Sequence, residues 1–237
     1  MFKIALNAGH YLKTPGKRCL KSLDPNETRE WVLNDRICDK IEQKLKAYEG
    51  YSLLRVDDTT GATDVSLDKR TAKANSWGAD FYLSIHHNAG IYGGKGGGVV
   101  AYVYTNVDAV TKAWQKDLYI SIINRTGLRG NRATPLASAN LAECRKTKMP
   151  AVLLECGFMD SATDVPAILS EDYADKVACA CVDVIVAKGK LTKKVIEEKN
   201  TESNKIYRVQ VGAYSVRKNA DAMVKKLKAD GYDAIIV

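Results

Sequence analysis

ADFYLSIHHNAG, residues 79–90, places a short apolar run directly before two of the chain's three histidines. Phe81-Tyr82-Leu83-Ser84-Ile85 is rich in β-prone side chains, and glycines at 78 and 90 bound the stretch, so it reads as a buried strand. Neighbouring residues on a strand point to opposite faces. His86 and His87 therefore do not easily serve one site. Two other apolar runs have the same form. FKIALNA, residues 2–8, leads into Gly9-His10, and AVLLECG, residues 151–157, carries Glu155 after four apolar residues. Strand ends of this kind are where open α/β sheets bind ligands.

Helical patterns lie between these strands. Leu33, Ile37, Ile41 and Leu45 recur at helical spacing. DPNE, residues 24–27, suggests the start of that helix, with Asp24 as cap, Pro25 at the first helical position and Glu27 at the third. Residues 51–57 read as a strand, 66–77 as a helix closed by Gly78, 99–104 as a strand, and 107–125 and 171–187 as helices. Strands alternating with helices predict an α/β fold: a mainly parallel sheet with helices on both faces. The stretch 188–205, KGKLTKKVIEEKNTESNK, is polar and charged and reads as a linker. IYRVQVGAY, residues 206–214, then alternates like a strand, residues 217–229 look helical, and YDAIIV closes a small C-terminal βαβ unit. The domains expected are thus 1–187, a linker at 188–205, and a module at 206–237.

Charge and cysteine usage narrow the function classes. The net charge is +8, and residues 189–237 hold 11 Lys/Arg against 6 Asp/Glu, so most of the surplus sits in the tail. Such a tail suits an anionic polymer, but no nucleic-acid recognition motif is present and no nucleic-acid partner is expected. No run approaches the ~18–20 apolar residues of a membrane helix, so membrane insertion is not expected. The N-terminus reads as a strand and not as a secretory signal, which implies synthesis in the cytoplasm. The six cysteines form no CxxC pair, arguing against a zinc knuckle and for free thiols.

The chemistry is carried by the polar residues at the strand ends. A lone histidine there is most often just hydrogen-bonded. A carboxylate behind four apolar residues is harder to explain, because a buried unpaired charge is costly; Glu155 needs a cation, a hydrogen-bond set or a raised pKa. Catalytic zinc commonly takes three protein ligands and leaves a position for water, and two histidines with one carboxylate form one such set. Glu27 has a capping role, whereas Glu30 lies on the core-facing stripe, at the end of the helix from which it could reach a metal.

NAGH at 7–10, the Glu30-x-x-x-Asn34 spacing, Arg70-x-x-x-Ala74-Asn75, ADFYLSIHHNA at 79–89 and PAVLLECGF at 150–158 together resemble the zinc-dependent N-acetylmuramoyl-L-alanine amidases, the autolysins and phage endolysins. The motifs follow the family's order and cover residues 1–187. The resemblance implies zinc held by His10, Glu30 and His86, with Glu155 as the catalytic residue. It implies peptidoglycan as substrate, cut between N-acetylmuramic acid and L-alanine. His87 stands where the family often has a small residue, and its ring should face packing or the substrate groove. Asn88, His87 and Lys95 are the candidate substrate contacts. Arg70 and Asn75 are read as structural. GGKGGG, residues 93–98, lacks the pattern of a phosphate loop and reads as a flexible groove edge.

The tail, YRVQVGAYSVRKNADAMVKKLKADGYDAIIV, resembles the first half of a SPOR domain, a family that binds glycan strands lacking stem peptides. One half has little core of its own, so pairing with another chain's tail is the favoured outcome, a homodimer through residues 206–237. The resemblance further implies a phage or prophage endolysin that reaches the wall after a holin opens the membrane. The alternatives are a non-catalytic peptidoglycan-binding protein and a stem peptidase on the same scaffold.

Overall fold

Alternation along the strands decides how the sheet is covered. In the computed structural model, which describes residues 1–194 and 209–236, even and odd positions of the central strands enter two separate apolar clusters. The chain runs β1 (Phe2–Ala8), α1 (Glu30–Leu45), β2 (Tyr48–Glu49), β3 (Tyr51–Arg55), α2 (Leu67–Trp77), β4 (Phe81–Asn88) and β5 (Val100–Val103). It continues through α3 (Ala109–Thr126), β6 (Leu136–Ser138), α4 (Ala142–Arg145), β7 (Ala151–Phe158), α5 (Val165–Ile168), α6 (Glu171–Gly189), β8 (Thr192–Lys193) and α7 (Arg217–Ala229). Two compact units result, Met1–Lys194 and Val195–Val237.

In the first unit six strands form one sheet in the order β3-β1-β4-β7-β5-β6. Every pairing is parallel except β5 with β7. On one face Ile4, Leu6, Phe81, Leu83, Ile85, Val152 and Leu154 pack with residues of α1, α3 and α6. The Phe81 ring stacks on Trp114 of α3, centroids 3.8 Å apart. On the other face Ala5, Tyr82 and Ala151 pack with Ala74 of α2. Each fully buried Leu or Ile contributes about 1.5–3 kcal/mol, so the period-two pattern locks each strand's register. The α/β reading from sequence thus holds; α2 closes as expected at a left-handed Gly78, and Ser66 caps its start. All six cysteines are free, and no described helix is long and apolar enough to cross a membrane.

DPNE does not start α1. The Asp24 carboxylate accepts the N–H groups of Asn26 (3.1 Å) and Thr28 (2.7 Å), closing a local turn. Glu27 takes a left-handed φ of 48°, and Arg18 bridges Arg29. A capping residue satisfies any nearby N–H, and here it serves a turn, so the helix begins three residues after Glu27. The short elements β6, α4 and α5 carry no sequence period and were not expected.

The second unit departs further from expectation. The linker expected at 188–205 falls partly in α6 and β8, and residues 195–205 lie outside the described residues, as do 206–208 of the expected strand. Residues 209–214 and 232–236 form no strand. A strand needs a hydrogen-bonded neighbour, and none is present for them among the described residues. Only α7 forms. It has no buried residue, and Ala220, Met223, Val224 and Leu227 make a half-exposed stripe at helical spacing.

Candidate metal centre and active site

The strand-end residues named from sequence meet above the carboxyl ends of β1, β4 and β7. His10 follows β1 and adopts a left-handed φ of 67°, a conformation rare for a residue with a side chain. Three carbonyl contacts of the buried Arg70 hold that turn. Its Nη1 donates to Ala8 O, its Nη2 to His10 O and its Nε to Val65 O, each at 2.7 Å. Arg70 is therefore structural, as expected. Asn75 is as well, binding Lys146 O and Lys148 N.

Glu30 opens α1 and is fully buried. Its Oε1 accepts the His87 N–H at 3.1 Å and lies 3.1 Å from His86 Nδ1. Its Oε2 lies 3.3 Å from His10 Nε2 and 3.5 Å from Lys17 Nζ. Burial raises the Glu30 carboxyl, but hydrogen bonds and charge from His10 and His86 outweigh it and hold the group well below its ordinary range.

These three residues fit a divalent metal. One ligand atom from each of His10, Glu30 and His86 lies within 4.8 Å of the others. Donors bound at 2.0–2.1 Å around a tetrahedral zinc stand roughly 3.3 Å apart. His10 Nε2 and Glu30 Oε2 face each other at 3.3 Å without forming a well-aligned hydrogen bond, as two ligands converging on one cation would. Gly9 makes the space: a Cβ there would come within 2.1 Å of the His86 ring.

His86 and His87 point to opposite faces. His86 reaches the metal-capable cluster. The His87 ring turns to the α1 face, where its Nδ1 pairs with Asn34 Oδ1 at 2.8 Å, and Asn34 Nδ2 donates to Gly9 O at 3.1 Å. His87 is 2% exposed. Burial pushes its pKa down to about 3, so the ring is neutral. Of the two settings expected for the His87 ring, packing or the substrate groove, the ring takes the packing one. Asn88 lies at the rim, its Oδ1 accepting the Ala89 N–H, and Lys95 is exposed.

Glu155 pairs in register with His86 across β4 and β7. Its Oε2 is buried and unpartnered. Desolvation is the main cause that raises its carboxyl to about 7, with opposing contributions from His86 and Lys17 and reinforcing ones from Glu30 and Glu143. Of the options open to a buried carboxylate, Glu155 shows the raised pKa.

The GGKGGG segment is not a free edge. Gly97 N donates to Asn131 Oδ1 and Gly98 N to the buried Asp164, and a Cβ on Gly98 would sit 2.5 Å from the Gly130 backbone. These glycines serve close packing. A further carboxylate, Glu143 on α4, lies 3.3 Å from His86 Nε2. Sequence reading passed over it because α4 has only four residues and no apolar period.

Comparison with known proteins agrees with this geometry. The family described as N-acetylmuramoyl-L-alanine amidase matches residues 4–187, and the SPOR domain matches residues 187–237. The chain is 32% identical over 240 residues to the sporulation-specific N-acetylmuramoyl-L-alanine amidase of Bacillus subtilis, covering all of this chain and 85% of that one. It is 34% identical over 175 residues to the endolysin of Bacillus phage SPP1, covering 73% and 60% of the two chains. Its fold is similar to the catalytic domain of the amidase CwlV from Bacillus (Paenibacillus) polymyxa var. colistinus, with TM-score 0.71 and 24% identity, over 81% of this chain and 100% of that one.

Proposed function

The chain belongs to the N-acetylmuramoyl-L-alanine amidase family, and from that premise we propose that His10, Glu30 and His86 hold a catalytic zinc ion and that Glu155 moves the proton. The activity is cleavage of peptidoglycan at the amide between N-acetylmuramic acid and L-alanine. The observation that carries the assignment of roles is the unpartnered Glu155 Oε2, on the residue paired with His86, together with one ligand atom from each of His10, Glu30 and His86 converging within 4.8 Å.

A zinc ion bound there supplies polarisation of the scissile carbonyl and a water acidic enough to ionise near neutrality. His10, Glu30 and His86 are fixed before any ligand arrives, by the Arg70 clamp, the Gly9–His86 contact and the Asn34 hydrogen bond to Gly9 O. Glu155 accepts the proton of the attacking water and delivers it to the amide nitrogen as the C–N bond breaks. The products are the lactyl carboxylate on the glycan and a free L-alanine amine. Burial, which raises this carboxyl above its ordinary range in the metal-free site, favours its holding the proton between the two halves of the transfer.

Residues 187–237 match a peptidoglycan-binding domain type, and we take this segment to hold the enzyme on the wall. One relative is described as sporulation-specific and another as a phage endolysin. Wall hydrolysis is common to both settings, whichever route brings the chain to the wall.

The test is release of new N-terminal alanine from purified peptidoglycan. Chelator should stop it and zinc restore it. Glu155→Ala should lower it by about 10²–10⁴-fold with zinc still bound. Full activity in that variant would sink the role of Glu155. New amino termini inside the stem would indicate a peptidase, and wall binding without any release would indicate a binding protein.

A further inference from the structure

We propose that Glu143 is a positioning residue for His86, fixing the ring so that Nδ1 is the atom presented to the metal. The inference rests on the metal-site reading above. Glu143 is 4% exposed, and both of its oxygens are committed. Oε1 accepts from Asn7 Nδ2 at 2.8 Å and from Tyr82 Oη at 2.7 Å. Oε2 lies 3.4 Å from Ser84 Oγ and 3.3 Å from His86 Nε2. Asn7, Tyr82 and Ser84 are each fully buried, so the carboxylate cannot turn to other partners.

Each ring nitrogen faces a carboxylate that only accepts, Glu30 at Nδ1 and Glu143 at Nε2. Glu30 belongs to the metal-capable cluster and Glu143 does not. With a metal held beside Glu30, Nδ1 gives up its proton and the neutral ring keeps the one on Nε2, which Glu143 accepts. A carboxylate on the remote nitrogen also raises the basicity of a ligating imidazole and holds its plane. Two donors on Oε1 fix which oxygen faces the ring. In Glu143→Gln the amide oxygen must therefore stay with Asn7 and Tyr82, and the NH₂ group turns to His86 Nε2. That arrangement forces the ring proton onto Nδ1, where it opposes metal binding.

The test is zinc affinity, by competition with a chromophoric chelator, on the full chain. Glu143→Gln should lower affinity about 10–100-fold, and excess zinc should restore its amidase activity. Tyr82→Phe, which loses a bond to Oε1 only, should lower the melting temperature yet keep zinc affinity within about threefold, well short of that loss. Equal zinc affinity in Glu143→Gln and wild type would overturn the proposal. So would a loss in Tyr82→Phe as large as in Glu143→Gln, which would make the role one of packing. Long-range ¹⁵N–¹H spectra of the zinc-loaded wild type give a check free of any variant: the His86 proton should be on Nε2, and metal on Nε2 would overturn the inference. Failure of the wild type to bind zinc would bring down the metal-site reading as well, and is distinguishable because no variant is needed to see it.

Discussion

The unit Met1–Lys194 and the unit Val195–Val237 contain the same kinds of sequence pattern, but among the described residues only the first converts them into sheet. FYLSI and YRVQV both read as strands. In the first unit Phe81–Asn88 lies between β1 and β7, both of its edges are paired, and its side chains fill two clusters. In the second, residues 209–214 form no ladder, and Val209, Val211, Ile235 and Ile236 are exposed. Strand propensity becomes strand only where a neighbour supplies hydrogen bonds and a face to bury. The α7 stripe has helix-forming periodicity and, among the described residues, no partner that covers it.

The largest effect expected from this contrast is on stability. Leu83→Ala, at a fully buried position of β4, should cost about 2–5 kcal/mol in urea denaturation. A cost below about 1 kcal/mol would mean the sheet is less tightly packed than it looks.

A smaller effect should come from pH. Folding raises the Glu155 carboxyl from 4.5 to about 7, so between these values the folded chain keeps a proton that the unfolded chain has released. Its contribution to stability is present below the unfolded value and is lost as pH rises through about 7. In chelator, the melting temperature of the wild type should fall relative to Glu155→Gln between pH 4.5 and pH 8. A difference that does not change with pH would place Glu155 in a more polar setting.

The smallest effect belongs to the second unit. Val224→Ala on α7 should change monomer stability by less than about 0.5 kcal/mol. We further propose that the tails pair through this stripe and the adjoining apolar residues. Light scattering should then give twice the chain mass for residues 1–237 and the single mass for residues 1–194. A full-length monomer at micromolar concentration would break the comparison, leaving the second unit unpaired. A large cost for Val224→Ala would sharpen it by showing the stripe covered in solution.

The metal-capable set was legible in the chain because each member carries an anomaly of type. His10 and His86 end apolar runs, Glu155 follows four apolar residues, and Glu30 interrupts an apolar stripe. Burial of such groups has an energetic cost that calls for a chemical reason. The start of α1 was misread because Asp24 and Pro25 favour a turn as readily as a helix. Glu143 was illegible because its significance is the 3.3 Å to a ring 57 residues away, and nothing local marks it.

By itself, then, the sequence determined the alternation of strands and helices, the two faces of the sheet, and the residues with chemistry to contribute. Those follow from period and from residue type, which are local properties. Tertiary structure alone decided that the His87 ring is buried against Asn34, that Arg70 holds the His10 turn, and that a second carboxylate backs His86. It also decided that residues 209–214 and 232–236 form no strand among the described residues. Such outcomes depend on which groups the fold brings within hydrogen-bonding distance across long separations, and a single linear pattern does not encode that distance.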